Sequence, residues 1–416
     1  MDNLFDDLMY RGLIQQCSNE EHVRELLSTK QAVYCGFDPS AGSMHLGNYV
    51  MISLLKRFQK AGHKVVALVG GATGMIGDPS GKSKERNLQS KEQLEANTAS
   101  IRAQLERYID LSDPEKGELV SNFEWLGPLS MIDFLRDYGK YFSINYMLSK
   151  EIVKSRLEDG ISFTEFAYQI LQSIDFYHLH KNKGVNIQLG GNDQWGNLTS
   201  GLELIRKIEG EEADVEVMTS RLILRSDGKK FGKSEKGALF LDANLTSPYT
   251  MYQYFLNVTD EDAIRFLKVF SFLSKEEIEE VAREHFASPG ARIGQKKVAY
   301  EITKDIYGEE GVQEAMKMTE ALFQGNVASL TGHQIETLFG DSKKKLEEGT
   351  MLEDILIALG AASSKREART FATGNSVLVN GVKETDPKKV FSASDAIEGK
   401  YLVVRRGKKN YYLGEF

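Results

Sequence analysis

Three short apolar runs, at 32–37, 64–69 and 185–189, each break into a turn rich in glycine, proline or serine, and amphipathic helical patterns join them. After the first run, Leu46, Val50, Met51, Leu54, Leu55 and Phe58 recur at helical spacing. Strand, turn and helix repeat in this way over about 33–224, and few folds accept that pattern. Parallel strands need crossovers long enough to hold a helix, and strands covered on both faces read as unbroken apolar runs. The expected fold is α/β, a Rossmann-like doubly wound parallel sheet with ligands at the carboxyl ends of its strands.

Beyond residue 224 the pattern changes. A Lys/Gly/Ser-rich loop leads into helices with Lys/Glu-rich faces, and 325–350 is mixed and polar. From about Met351 a short helix beginning at Ser364, the turn Asn380-Gly381 and a closing hairpin predict a small α+β unit. The expected domains are therefore 1–224 (Rossmann-like, catalytic), 225–324 (mobile loop and α-helical domain), 325–350 (linker) and 351–416.

A chain of 416 residues can bury a substantial core, and 41% hydrophobic with 27% charged residues is a globular composition. No apolar stretch approaches a membrane span, and the acidic start Met1-Asp2-Asn3-Leu4-Phe5-Asp6-Asp7 does not read as a signal peptide. Cys17 and Cys35 form no disulfide framework or metal spacing, so a reducing cytoplasm is expected. The net charge of −8 is uneven: from Ser363 onward 11 Lys and Arg face 6 Asp and Glu. Basic potential is concentrated at one end, where a nucleic acid could bind despite the acidic whole.

The handover from the first strand to the helix holds His45, Gly47 and Asn48. Helix-initial N–H groups lack internal partners and lie at the positive end of the dipole, so phosphate can be held there beside imidazole and amide donors. Nearly two hundred residues later, Lys230-Phe231-Gly232-Lys233-Ser234 places two cations on a loop. Rival nucleotide motifs fit less well. Gly77-Asp78-Pro79-Ser80-Gly81-Lys82-Ser83 has one residue too few for a P-loop, and no dinucleotide fingerprint follows the first strand.

Ser162-Phe163-Thr164-Glu165 has capping-box spacing, which starts a helix near Ser162. Tyr168, Gln172 and Asp175 then share one stripe, flanked and opposed by apolar residues. A polar stripe on a buried helix needs partners, and a ligand can supply them.

The order His45-Leu46-Gly47-Asn48, then Lys230-Phe231-Gly232-Lys233-Ser234, resembles the paired signatures of class I aminoacyl-tRNA synthetases. With the blocks 33–39, 70–81, 160–166 and 190–197, the chain from about Tyr34 to its C-terminus is similar to the bacterial tyrosyl-tRNA synthetases. The resemblance implies ATP-dependent activation of L-tyrosine and its transfer to tRNA(Tyr). It implies that Tyr34 and Asp175 hold the phenol hydroxyl, that Asp78, Tyr168 and Gln172 hold the ammonium group, and that Gln194 and Asp38 orient the tyrosine and adenylate end. For ATP it implies His45 at the phosphates, Gly36 and Gly47 at close approaches, Asp193 at the ribose, and Lys82, Arg86, Lys230 and Lys233 around the leaving pyrophosphate, with Asp38, Asn48, Gly191 and Ser234 as further ATP-binding residues. Mg²⁺ would arrive with ATP, with no dedicated metal site. Asn48 departs from the family, which often has a second histidine there, and an amide can donate but cannot titrate. The last segment resembles an S4-type RNA-binding module, with Lys365, Arg366, Arg369, Lys408 and Lys409 as tRNA contacts. A homodimer is implied as well, with 125–129 through 146–148 as a candidate interface. Two rivals are weighed against this: the tryptophan-specific enzyme of the same class, disfavoured because Tyr34 with Asp175 suits a phenol hydroxyl better than an indole, and an RNA-binding protein that keeps the fold without its activity, against which His45, Asp193, Lys230 and Lys233 argue.

Overall fold

The computed structural model describes residues 3–80, 89–154, 157, 160–228, 231–234, 237–407 and 410–416. Packing groups the chain into two compact units, 1–246 with 254–306, and 247–253 with 307–416. The helical run Ile293–Gln324 is interrupted at Gly308 (φ 81°, ψ 177°), and the units divide next to it. That backbone region is essentially reserved for glycine.

Among the described residues of the first unit, six strands form one sheet: β1 (Ile14–Cys17), β2 (Ala32–Phe37), β3 (Lys64–Val69), β4 (Gly117–Ser121), β5 (Val185–Gly191) and β6 (Glu216–Ser220). Their order is β1-β6-β5-β2-β3-β4. All neighbours are parallel except β1, which closes the edge antiparallel to β6. The chain runs outward from β2 through β3 to β4, then returns to β5 on the other side of β2. The switch point therefore lies between β2 and β5, where such sheets open a crevice at their carboxyl ends.

Helices on both faces explain the unbroken apolar strands. Val66, Leu68 and Val217 pack with Phe176, Leu198 and Leu202 in one buried cluster. Removing each such side chain from water is worth about 1.5–3 kcal/mol. Ser162 caps the Phe163–Lys183 helix by accepting from Glu165 N at 3.3 Å, and Gly184 ends it in the left-handed conformation (φ 65°). Both ends are legible from residue type.

In the second unit, the described strands Val382–Lys383, Val377–Val379, Tyr401–Arg406, Asn410–Glu415 and Lys344–Lys345 form a sheet in that order, packed with helices Leu352–Ala358 and Lys365–Thr373. The turn at Asn380 (φ 50°) and Gly381 (φ 83°) is the one expected from Asn-Gly. The stretch 325–350 is folded, which corrects its reading as a linker. It carries the helix Gly332–Phe339 and the strand Lys344–Lys345, and Val327, Leu330 and Ile335 bury against Tyr401, Val403 and Leu413. Its polar average hid three well-spaced apolar anchors.

Candidate active site

The carboxyl ends of β2 and β5 open into a cleft of about 800 Å³ in the first unit. Tyr34, Gly36 and Asp38 line it from β2, and Gly191, Asp193 and Gln194 from the end of β5 and the turn after it. Asp78, Tyr168, Gln172, Asp175, His45, Gly47, Asn48 and Lys233 complete the expected set that reaches it.

The two signatures meet here through the backbone. Leu46 N donates to Leu239 O at 2.8 Å, and Leu239 N donates to Gly232 O at 2.9 Å. A Cβ on Gly232 would lie 3.3 Å from that of Leu46 and 3.6 Å from Gly47 N. Phe231 fixes the loop from the other side, stacked on Phe270 at 5.3 Å and 5.1 Å from Phe266, while Gly232 N donates to the Tyr254 hydroxyl at 3.0 Å. Lys233 pairs with Ala238 in a short hairpin and is exposed at the cleft. Ser234 turns its hydroxyl to Gly237 O at 3.2 Å, within the hairpin, and is not among the cleft-lining residues. Lys82, Arg86 and Lys230 lie outside the described residues.

His45 caps the Leu46–Lys60 helix: its Nδ1 accepts from Gly47 N at 3.0 Å, and Asn48 Oδ1 accepts from His45 N at 3.0 Å. Asn48 thus completes a reciprocal cap, with its NH₂ end as remaining donor. Gly47 has a reason beyond leaving room for a nucleotide, since a Cβ there would sit 2.8 Å from the His45 ring.

Deeper in the cleft, Tyr34 is 1% exposed and its hydroxyl has no hydrogen-bond partner. Burial, then the nearby Asp175, holds that hydroxyl's pKa well above its ordinary value. Burial also pushes Asp175 up to about 8, against the pull of two donors. Those donors are Trp125 Nε1, 2.8 Å from Oδ1, and Asn122 Nδ2, 3.0 Å from Oδ2. Asn122, fully buried, also donates to Thr73 Oγ1 at 2.9 Å and accepts from Ala72 N at 2.8 Å. Thr73 in turn donates to Asp38 Oδ1 at 2.8 Å, and the Tyr168 hydroxyl donates to Asp38 Oδ2 at 2.7 Å. Asp78 accepts from Ser80 N at 2.9 Å and from Gln194 Nε2 at 2.6 Å. Burial raises the Tyr168 pKa well above the usual phenol value, and the carboxylates of Asp38, Asp78 and Asp175 add to the shift. Gln172 Oε1 is buried without a partner. Two polar atoms lacking partners beside clustered negative charge suit a ligand with a hydroxyl at one end and a cation at the other.

Sequence reasoning missed Asn122 and Asn197. Asn197, fully buried, donates to Ser80 Oγ at 3.2 Å and to Gln194 Oε1 at 3.2 Å. Neither asparagine sits in a pattern that single-sequence inspection could separate from a turn residue. Leu222 and Leu224 extend the apolar run 215–224 in the sequence. The strand β6 nevertheless ends at Ser220, and both leucines are exposed, 72% and 55%, on the cleft wall. Cys35 lines the cleft too, its thiol pushed up to about 12 by burial and therefore neutral.

In the second unit two expected cations are already paired. Arg369 bonds both carboxylate oxygens of buried Glu353, at 2.5 and 3.1 Å, and Lys365 lies 2.8 Å from Asp354 and 3.7 Å from Glu353. Arg366 is exposed on the same helix. Lys408 and Lys409 lie outside the described residues.

The family description "tRNA synthetases class I (W and Y)" matches residues 28–324, and "Tyrosine--tRNA ligase SYY-like C-terminal domain" matches 334–414. The chain therefore belongs to the class I aminoacyl-tRNA synthetases of the tryptophan and tyrosine group. It is 48% identical over 415 residues to the tyrosine--tRNA ligase of Bacillus caldotenax, covering 99% of each chain. That of Listeria monocytogenes serotype 4b (strain F2365) is 48% identical over 414 residues, again at 99% coverage of both. Among solved structures, a C-terminally truncated mitochondrial tyrosyl-tRNA synthetase of Aspergillus nidulans superposes with a TM-score of 0.71 at 29% identity, over 78% of this chain and 95% of that one. A tryptophanyl-tRNA synthetase of Encephalitozoon cuniculi shares the fold at 16% identity and a TM-score of 0.55, over 75% of this chain and 87% of that one. Within the group, the chain falls with the tyrosine–tRNA ligases.

Proposed function

We propose that this tyrosine–tRNA ligase recognises the phenol of L-tyrosine through Tyr34 and Asp175, and carries out both half-reactions at the cleft between β2 and β5. One observation carries the assignment. The Tyr34 hydroxyl is buried without a partner near the buried Asp175 carboxyl group. Phenylalanine would leave the buried Tyr34 hydroxyl unsatisfied and offer nothing to Asp175, which costs far more than an empty methylene-sized space.

In the first half-reaction the tyrosine carboxylate oxygen attacks the α-phosphorus of ATP, the α–β P–O bond breaks, and pyrophosphate leaves. A carboxylate is already a nucleophile, so no general base is needed; the work is positioning and charge stabilisation. Asp78, Tyr168 and Gln172 take the ammonium group, where the carboxylates cluster, and Asp38 and Gln194 set the carboxylate end. His45 and the free NH₂ end of Asn48 meet the phosphates, since the helix's first N–H groups are taken by Leu239 O, His45 Nδ1 and His45 O; Gly36, Gly47 and Gly191 give close approach and Asp193 the ribose contact. Lys233, with Lys82, Arg86 and Lys230 from the segments outside the described residues, grips pyrophosphate. In the second half-reaction a 3′-terminal hydroxyl of tRNA attacks the adenylate carbonyl and AMP leaves.

Mg²⁺ would arrive with ATP and would supply further charge stabilisation at the phosphates. The reading includes a homodimer and a cytoplasmic site of action. Free Cys17 and Cys35 favour the second, and no helix among the described residues is long and apolar enough to cross a membrane. For the dimer, Leu126 and Met147 turn inward, but Met131, Ile132, Leu135, Ile144 and Phe163 are 51–69% exposed around them. Pyrophosphate exchange into ATP that depends on tyrosine tests the first half-reaction, and no exchange would favour a binding protein. Changing Lys408 and Lys409 together to Glu should abolish tRNA charging and spare that exchange.

A further inference from the structure

Asp175 reaches the protein surface through a stacked pair of rings. Trp125, on the short helix Phe123–Leu126 after β4, gives its Nε1–H to Asp175 Oδ1 at 2.8 Å. On the Phe163–Lys183 helix, His178 lies three residues beyond Asp175, and its imidazole covers the indole of Trp125 almost flat. The centroids are 4.3 Å apart and the planes 10° from parallel. Both rings are half-buried. Asn182 Nδ2 lies 3.3 Å from His178 Nδ1 and ties the imidazole to the next helical turn.

The hydrogen bond fixes one atom of the indole, and Trp125 packs partly against two apolar clusters. The flat stack on His178 adds a constraint on ring tilt, because offset aromatic contact holds only while the planes stay parallel. With both in place, the N–H points at one carboxylate oxygen, and Asn122 holds the other at 3.0 Å. The carboxylate plane is then set relative to the buried Tyr34 hydroxyl. Placement to a fraction of an ångström is what hydrogen-bond selection of a phenol requires.

We propose that His178 is a positioning residue for amino-acid selection. It acts through Trp125 on Asp175 and touches no substrate. The inference rests on the assignment of Asp175 to the phenol, and the experiment separates the two. The variants are His178→Ala, His178→Phe, which keeps a flat ring, His178→Leu, which keeps volume without one, and Asp175→Asn as the control. Each is assayed by pyrophosphate exchange with tyrosine and with phenylalanine. His178→Ala and His178→Leu should raise KM for tyrosine about 3- to 10-fold and narrow the tyrosine-over-phenylalanine ratio by a similar factor. Maximal rate and KM for ATP should stay within about twofold, and His178→Phe should restore the ratio.

The chain has only two tryptophans, so a Trp195→Phe background isolates Trp125 emission, which should change in the Ala and Leu variants. If Asp175→Asn narrows the ratio while the Leu variant keeps the wild-type value despite altered Trp125 emission, the role of His178 is refuted and the phenol assignment stands. If Asp175→Asn itself leaves the ratio unchanged, the phenol assignment fails and this inference falls with it. Should His178→Ala not fold, comparison of the Phe and Leu variants decides the same question.

Discussion

In the cleft, charged and polar side chains are buried and hold one another in chains: Trp125 and Asn122 on Asp175, Thr73 and Tyr168 on Asp38, Gln194 on Asp78. On the helix Lys365–Thr373 of the second unit, cations are exposed, and Lys365 and Arg369 lean on one buried carboxylate, Glu353. The first arrangement is rigid and leaves particular atoms, the Tyr34 hydroxyl and Gln172 Oε1, for a ligand to satisfy. The second is a charged face in high dielectric, where contact energies are small and salt-dependent. Shape-selective recognition of a small molecule suits the first, and attraction of a polyanion suits the second.

The contrast can be broken at its strongest point with Lys233→Ala. Adenylate formation should fall by about 10²–10³, the usual loss when one donor to transition-state charge is removed. The tyrosine dissociation constant should stay within about twofold; rapid-quench kinetics and equilibrium dialysis would read the two, and equal losses would mean that Lys233 serves binding in general.

Asn122→Ala tests the buried chain itself. It strips a partner from Asp175, Thr73 and Ala72 N at once. Tyrosine affinity should drop roughly 10- to 100-fold, matching about 1–3 kcal/mol for a buried group left unsatisfied. ATP affinity should hold; if it fell equally, the cleft would not be divided as described.

The pH dependence is a smaller effect with a definite sign. Asp175 sits near 8 in the folded protein, above the ordinary carboxylate value. Between about 4 and 8 the native state therefore keeps a proton that the unfolded chain has released, so the ligand-free protein should lose stability as pH rises across that window. Tyrosine affinity should move the other way, strengthening from pH 6 to 8 as the acceptor ionises and levelling above. Phenylalanine should show no such slope in calorimetric titrations. Parallel curves for both amino acids would remove Asp175 from the phenol site.

The smallest effects belong to the exposed helix and would sharpen the comparison there. Arg366→Ala should weaken tRNA binding a few-fold and reduce the salt slope by about one, without moving Tm. Arg369→Ala should lower Tm, because Glu353 is left buried without its guanidinium. If instead Arg369→Ala changed only the salt slope, its carboxylate pairing would be incidental.

Local chemistry, readable one segment at a time, determined a good deal of this protein. Apolar runs at 32–37, 64–69 and 185–189 became parallel strands because helices cover both faces. Ser162 and Gly184 bounded a helix by capping and by left-handed freedom, and Asn380-Gly381 made its hairpin. The signatures around His45 and Lys233, and the stripe Tyr168, Gln172, Asp175, supply residues that line one cleft. What only the tertiary structure decided is partnership. Asn122 and Trp125 reach Asp175 across about fifty residues of chain, and Glu353 claims Arg369 from sixteen away. Val327, Leu330 and Ile335 turn a polar stretch into a folded one by finding Tyr401, Val403 and Leu413. Capping and periodicity depend on neighbours a few positions apart, whereas burial of a polar atom and the identity of its partner depend on which distant strands and helices meet.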